Sequence, residues 1–201
     1  MKRLIATLSL LAMLTACQTS STKENPLLTE STLDYQAPDF SKIRPAHFVP
    51  AIEEGIRIQL AEIDSITSNT AAPTFENTVL AYEKSGRLLA RATSILSALV
   101  GADGTEELQK IDEETTPMLS AHHDALLLNE KLFARIKAVY DQRSSLQGED
   151  LRLTEVLYDQ FVHEGALLSA ADKEALKKIN SEIAVLQTKF TNQVNAGTKE
   201  A

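Results

Sequence analysis

Of the side chains here that can do chemistry, the four histidines come first. One of them opens the run His163-Glu164-Gly165-Ala166-Leu167. A helical zinc site of the form His-Glu-x-x-His needs a second imidazole four residues on, so that both rings reach one metal while the Glu polarises water. Leu167 stands where that imidazole is required, and Gly165 weakens the helix that would carry it. His163 therefore reads as a surface histidine near a helix end. His122 and His123 precede Asp124, but neighbours in sequence diverge on a helix and do not chelate together. The acidic run Asp112-Glu113-Glu114 would need a facing element to act as a carboxylate pair, and reads as a solvated face. Gly101 and Gly104 lack phosphate-loop spacing and fit a helix-to-helix turn, and no nucleophile elbow is present. No residue takes a catalytic or metal-binding role on these grounds.

The one cysteine carries a different chemistry. Lys2-Arg3 supply a positive start, Leu4 to Leu14 an apolar run of 11 residues, and Leu14-Thr15-Ala16-Cys17 a small-residue cleavage site ending in a thiol. That run is too short to span a bilayer as a helix. The tetrapeptide matches the bacterial lipobox, in which the cysteine is diacylated and becomes the new N-terminus. Residues 1–16 are thus a lipoprotein signal peptide, Cys17 the lipidation site, and 17–24 a polar tether. A lipidated Cys17 leaves no thiol for disulfides, metals or nucleophilic attack. With Gln18 rather than an acid after the cysteine, the expected address is the cell envelope, at the outer membrane facing the periplasm.

The whole chain of 201 residues has 20 Lys and Arg against 28 Asp and Glu, scattered rather than clustered, which excludes a phosphate-tracking surface and with it nucleic acid as a partner. Only 5% of residues are aromatic and 43% are apolar, as suits an acidic helical protein.

From residue 25 onward the elements that must position these groups read as helices. Asn25 to Leu28 and Tyr35 to Phe40 are turn-like segments whose apolar residues are expected to dock on the body. A first helix runs from Pro45 to Ile66 with a stripe of Phe48, Ile52, Ile56, Leu60 and Ile63, tolerating Pro50 near its start. A central antiparallel hairpin is expected from Pro73 to Leu128. Its first arm opens at Thr74 and carries Val79, Tyr82, Leu89, Leu96 and Val100; its second carries Leu108, Ile111, Thr115, Leu119, His122 and Leu126, with a kink at Pro117. Further helices follow, from Glu130 to Ser145 and from Asp150 to His163, the second carrying Leu151, Leu153, Val156, Leu157 and Phe161. In the last, Leu176, Ile179, Ile183, Leu186 and Phe190 alternate steps of three and four, a coiled-coil-like seam that wants a partner of its own length. The fold class is all-α, built of antiparallel helical hairpins.

Two motifs carry more. Pro45-Ala46-His47-Phe48-Val49-Pro50-Ala51 followed by Phe75-Glu76-Asn77-Thr78-Val79 resembles the N-terminal region of the thimet-oligopeptidase-like zinc metallopeptidases. Asn25-Pro26-Leu27-Leu28, Arg152-Leu153, Phe161-Val162, Gly165-Ala166 and Leu168 resemble the peptidyl-dipeptidase, or dipeptidyl carboxypeptidase, branch rather than the oligopeptidase A branch. The resemblance covers residues 25 to 201. It implies the N-terminal helical part of a two-lobed, channel-type enzyme that admits short peptides and, when complete, releases C-terminal dipeptides with zinc held by His-Glu-x-x-His and a downstream Glu. None of those zinc ligands can be placed on this sequence, so the 201 residues themselves are expected to bind no zinc and to be inactive, the catalytic region being absent. The motif residues Pro45, His47, Phe48, Pro50, Phe75, Asn77 and Thr78 are expected to set helix starts and packing. The alternative is a catalytically inactive helical lipoprotein that serves as a binding or scaffold module.

Overall fold

The computed structural model describes residues 25–200, with side chains to 197. The expected signal peptide, lipidation site at Cys17 and tether lie outside the described residues. Among those described there are seven α-helices and no strand, so the all-α reading holds. α1 (Phe48–Thr67) follows a 3-10 turn at Pro45–His47, where proline supplies the fixed φ of a helix start and loses no needed N–H. Thr74 caps a π turn at Phe75–Val79 that leads into the short α2 (Leu80–Glu83), and α3 (Arg87–Ala102) follows. Thr105 caps α4 (Glu106–Leu127) by accepting from the N–H of Leu108, and Asn129 caps α5 (Glu130–Asp141) by accepting from that of Leu132. α6 spans Gly148–His163 and α7 spans Ala170–Glu200. Ser169 and Asp172 bond reciprocally at the start of α7.

The expected first arm of the hairpin is not one helix. It breaks at Lys84–Gly86, because Gly86 adopts φ +71, a left-handed conformation that ends α2, and its N–H is held by the Glu62 carboxylate at 2.8 Å. Gly101 lies inside α3 rather than in the turn, which falls at Asp103–Thr105 around Gly104. α4 runs through Pro117 as one helix. The most extensive packing joins α1 to α3, so that pair, not α3 with α4, is the centre. Gly55 is why it closes: a Cβ there would sit 2.8 Å from the Leu89 Cα, so only glycine lets the two backbones cross this near.

The buried side chains form two clusters. One gathers Leu27, Ile43, Phe48, Ala51 and Ile52 against Leu89, Ala92, Ile95, Leu96, Val100, Leu108 and Ile111. The other gathers Ile63, Ile66, Phe75 and Val79 against Leu126, Leu127, Leu132, Phe133, Ile136, Val139, Leu157 and Phe161. α1 and α4 contribute to both and tie them together. Most of the predicted stripes face these clusters, but Leu60 and Val156 are exposed, lying at the edges of their stripes. Of the N-terminal apolar residues, Leu27 docks while Leu33, Tyr35 and Phe40 stay in solvent.

α7 is different. It packs on α4, yet Ile179, Ile183, Leu186 and Phe190 are all exposed, Leu186 at 66% and Phe190 at 67%. Of the predicted seam only Leu176 is half-buried, beside Gly165, and the other four residues are uncovered among the described residues. No described helix is long and apolar enough to cross a membrane.

Candidate functional site

The motif residues sit at two helix starts. In the first, the Arg44 N–H donates to His47 Nδ1 at 3.1 Å, and the Asn25 amide donates to the His47 carbonyl at 2.8 Å. Pro45 opens the 3-10 turn, Phe48 is fully buried, and Pro50 lies within the first turn of α1, where no hydrogen bond is lost. His47 thus spends one ring nitrogen on the backbone N–H of Arg44.

In the second, Asn77 is the centre. Its Oδ1 accepts from the Thr74 N–H (2.9 Å) and the Thr78 hydroxyl (2.8 Å), while its Nδ2 donates to the Ala72 carbonyl (2.9 Å). Asn77 N–H in turn donates to Thr74 Oγ1 (3.2 Å), closing a capping box. Arg135, brought from α5, donates through Nη2 to Asn77 Oδ1 at 3.0 Å and through Nη1 to the carbonyls of Asn69 and Ala71. Phe75 and Thr78 are buried beneath. The sequence reading missed Arg135, since nothing local marks an arginine whose partners lie about sixty positions away in the chain.

The remaining candidates cluster where α4 meets α7. A cleft of about 380 Å³ is lined by Thr116, His123, Asp124, Glu164, Asn180 and Ile183, among others. Asp124 is buried and accepts from the Asn180 amide at 2.7 Å; His123 stands 3.7 Å from the Glu164 carboxylate. His122 points the other way. Its Nε2 lies 2.7 Å from Gln59 Oε1 on α1, and burial, then the neighbouring His123, holds it below its ordinary pKa. His163 ends α6, and Glu164 follows it into the turn at Gly165, so the His-Glu pair is not on a helix face. Of the acidic run, Glu114 is exposed, Glu113 accepts from the Asn192 amide on α7 at 3.1 Å, and Asp112 is pushed above the ordinary carboxylate range by burial and by Glu113. It is therefore an α7-packing face as well as a solvated one.

No group of three His, Cys, Asp or Glu among the described residues could hold a metal ion. A zinc ion therefore does not fit them, and no step of hydrolysis is assigned to them.

Residues 1–18 match the prokaryotic membrane lipoprotein lipid attachment site. Over 177 residues, 87% of its length, the chain is 45% identical to a dipeptidyl carboxypeptidase of Salmonella typhimurium, and over 180 residues it is 43% identical to that of Escherichia coli. An oligopeptidase A of Salmonella typhimurium is more distant, at 24% over 172 residues. The chain spans about a quarter of the length of these curated relatives, 26% of each dipeptidyl carboxypeptidase.

Proposed function

The chain is a relative of the dipeptidyl carboxypeptidases, with oligopeptidase A standing further off, and from that kinship we propose that residues 25–201 serve as the N-terminal helical part of a lipid-anchored zinc peptidase that removes dipeptides from the C-termini of short peptides. The observation that carries this is the 45% identity running through almost the whole helical body. In this reading the zinc and its ligands belong to a catalytic region outside the matched quarter. The helical body contributes a rigid wall, and short peptides are the substrates.

The lipid attachment site supports an envelope address. We place the protein at the outer membrane, facing the periplasm, because Gln18 rather than an acid follows Cys17. A second reading, an inactive binding or scaffold module, is favoured by the uncovered apolar face of α7.

The experiment is an assay of the purified 201-residue chain on an N-blocked synthetic peptide, with and without added zinc. No C-terminal dipeptide should appear in either arm, since no zinc-holding group is present among the described residues. Zinc-dependent dipeptide release by this chain alone would sink the division of labour proposed here.

A further inference from the structure

α7 lies antiparallel on α4, and polar pairs fasten it at intervals: Asn192 to Glu113 (3.1 Å), Thr188 to Thr116 (2.9 Å) and Asn180 to Asp124 (2.7 Å). Between the last two lies the cleft of about 380 Å³. The two threonines stand at one end of it, and Asp124, Asn180 and Glu164 at the other. Eight residues of α4 separate the ends, about 12 Å along the helix axis.

Asp124 is the group in this cleft that the fold leaves unfinished. It is only 5% exposed, and no cation pairs with it among the described residues. Its Oδ1 accepts from the Asn180 amide, whereas Oδ2 has no partner among the described residues. A carboxylate taken out of water with one neutral hydrogen bond is short of donors, because removing a charge from water costs far more than such a bond returns. Oδ2 is not sealed inside the protein, as the orphaned Nδ1 of His122 is, so it meets the cleft. Glu164 adds a second carboxylate at the same end, and no lysine or arginine lines the cleft. These acids sit on α4 and on the turn after α6, and Asn180 on the side of α7 that faces α4, so the site does not draw on the exposed stripe of α7.

The missing donor is therefore cationic, and its shape is restricted. A guanidinium binds a carboxylate best as a fork across both oxygens, but Asn180 already occupies Oδ1. A metal ion does not fit, since no three ligating side chains come together. An ammonium is a compact donor that needs one oxygen only. Leu119 and Ala184 line the cleft beyond it and suit a short apolar body.

We propose that the α4–α7 cleft is a binding site for a primary ammonium on a short, slim molecule, with Asp124 Oδ2 as its acceptor and Glu164 as a second negative charge. This does not rest on the peptidase reading.

The test titrates n-butylammonium into the full chain, lipid anchor intact, in detergent micelles. It follows the side-chain amide of Asn180 by nitrogen-15 NMR, because that amide reports on the carboxylate it serves. Binding should saturate, weaken about tenfold in Asp124→Asn, which keeps an oxygen for Asn180, weaken less in Glu164→Gln, and stay unchanged in Glu149→Gln at the start of α6. n-Butanol and n-butylguanidinium should each bind about tenfold less well. Ser120→Leu, which fills the cleft and alters no charge, should abolish binding with the circular dichroism unchanged. Ala-Ala-amide and its N-acetylated form identify the source of the ammonium. Tighter binding of the free dipeptide amide than of n-butylammonium assigns the site to peptide N-termini, and weaker binding assigns it to free alkylamines. The absence of a saturable shift would overturn the proposal. So would equal binding by n-butanol or by the N-acetylated peptide, or wild-type binding by Asp124→Asn or Ser120→Leu.

Discussion

Arg135 on α5 and Asn77 before α2 are joined through one amide oxygen, which at the same time caps the backbone N–H of Thr74. The guanidinium also holds the carbonyls of the loop that brings the chain from α1 to this point. A single arginine thus fastens the α1–α2 connection to α5, and charge-assisted donors to carbonyl oxygens are the stronger kind of hydrogen bond. Asn77→Ala should cost about 2 kcal/mol, from the lost cap and the stranded donors. Arg135→Ala should cost a similar amount, and the two losses should be less than additive because they remove shared bonds. Urea denaturation of the two single variants and the double variant measures this; strict additivity would show that the contact is incidental.

His122 gives the fold a pH dependence whose sign can be fixed. Its ring is buried beside Gln59 and held below its ordinary value of 6.5, so the unfolded chain takes up the proton first as the pH falls. The stability carried by the neutral ring is whole above 6.5 and is lost progressively below it, down to the depressed folded value. The urea midpoint of the wild type should drop between about pH 7 and about pH 5, and His122→Gln should flatten that slope. An equal slope in the variant would assign the dependence to other groups.

These two sites show what the sequence could and could not reveal. Helix starts were legible because Thr74, Asn129 and Ser169 are capping residues whose bonds close within three positions. That part of the α7 seam stays exposed was legible too, from a run too long to be matched by the helix just before it. The break at Gly86 was not, because glycine within a periodic stretch marks either a tolerated helix residue or a left-handed turn, and here the Glu62 carboxylate decides for the turn. Nor could the pairing of α1 with α3 be read, since it depends on Gly55 meeting the Leu89 backbone. The site divides in the same way: the roles of His47 and Asn77 close within a few residues, whereas Arg135 and the Asp124–Asn180 bond join distant segments.

The anchor has its own check. Thioether formation needs the thiol of Cys17, within the matched attachment site at residues 1–18. Cys17→Ser should therefore move the protein from the membrane to the soluble fraction on cell fractionation. The variant staying with the membrane would contradict lipidation at this residue.

In the proposed function this helical body is interchangeable with the matching quarter of a dipeptidyl carboxypeptidase. Residues 25–200 can be substituted for that quarter in the Escherichia coli enzyme, to which the chain is 43% identical, and dipeptide release from an N-blocked peptide measured on the zinc-loaded chimera. We expect C-terminal dipeptides to be released by the chimera, and release to be lost when the inserted segment carries Asn77→Ala together with Arg135→Ala. A chimera that folds and holds zinc but releases no dipeptide would contradict the account.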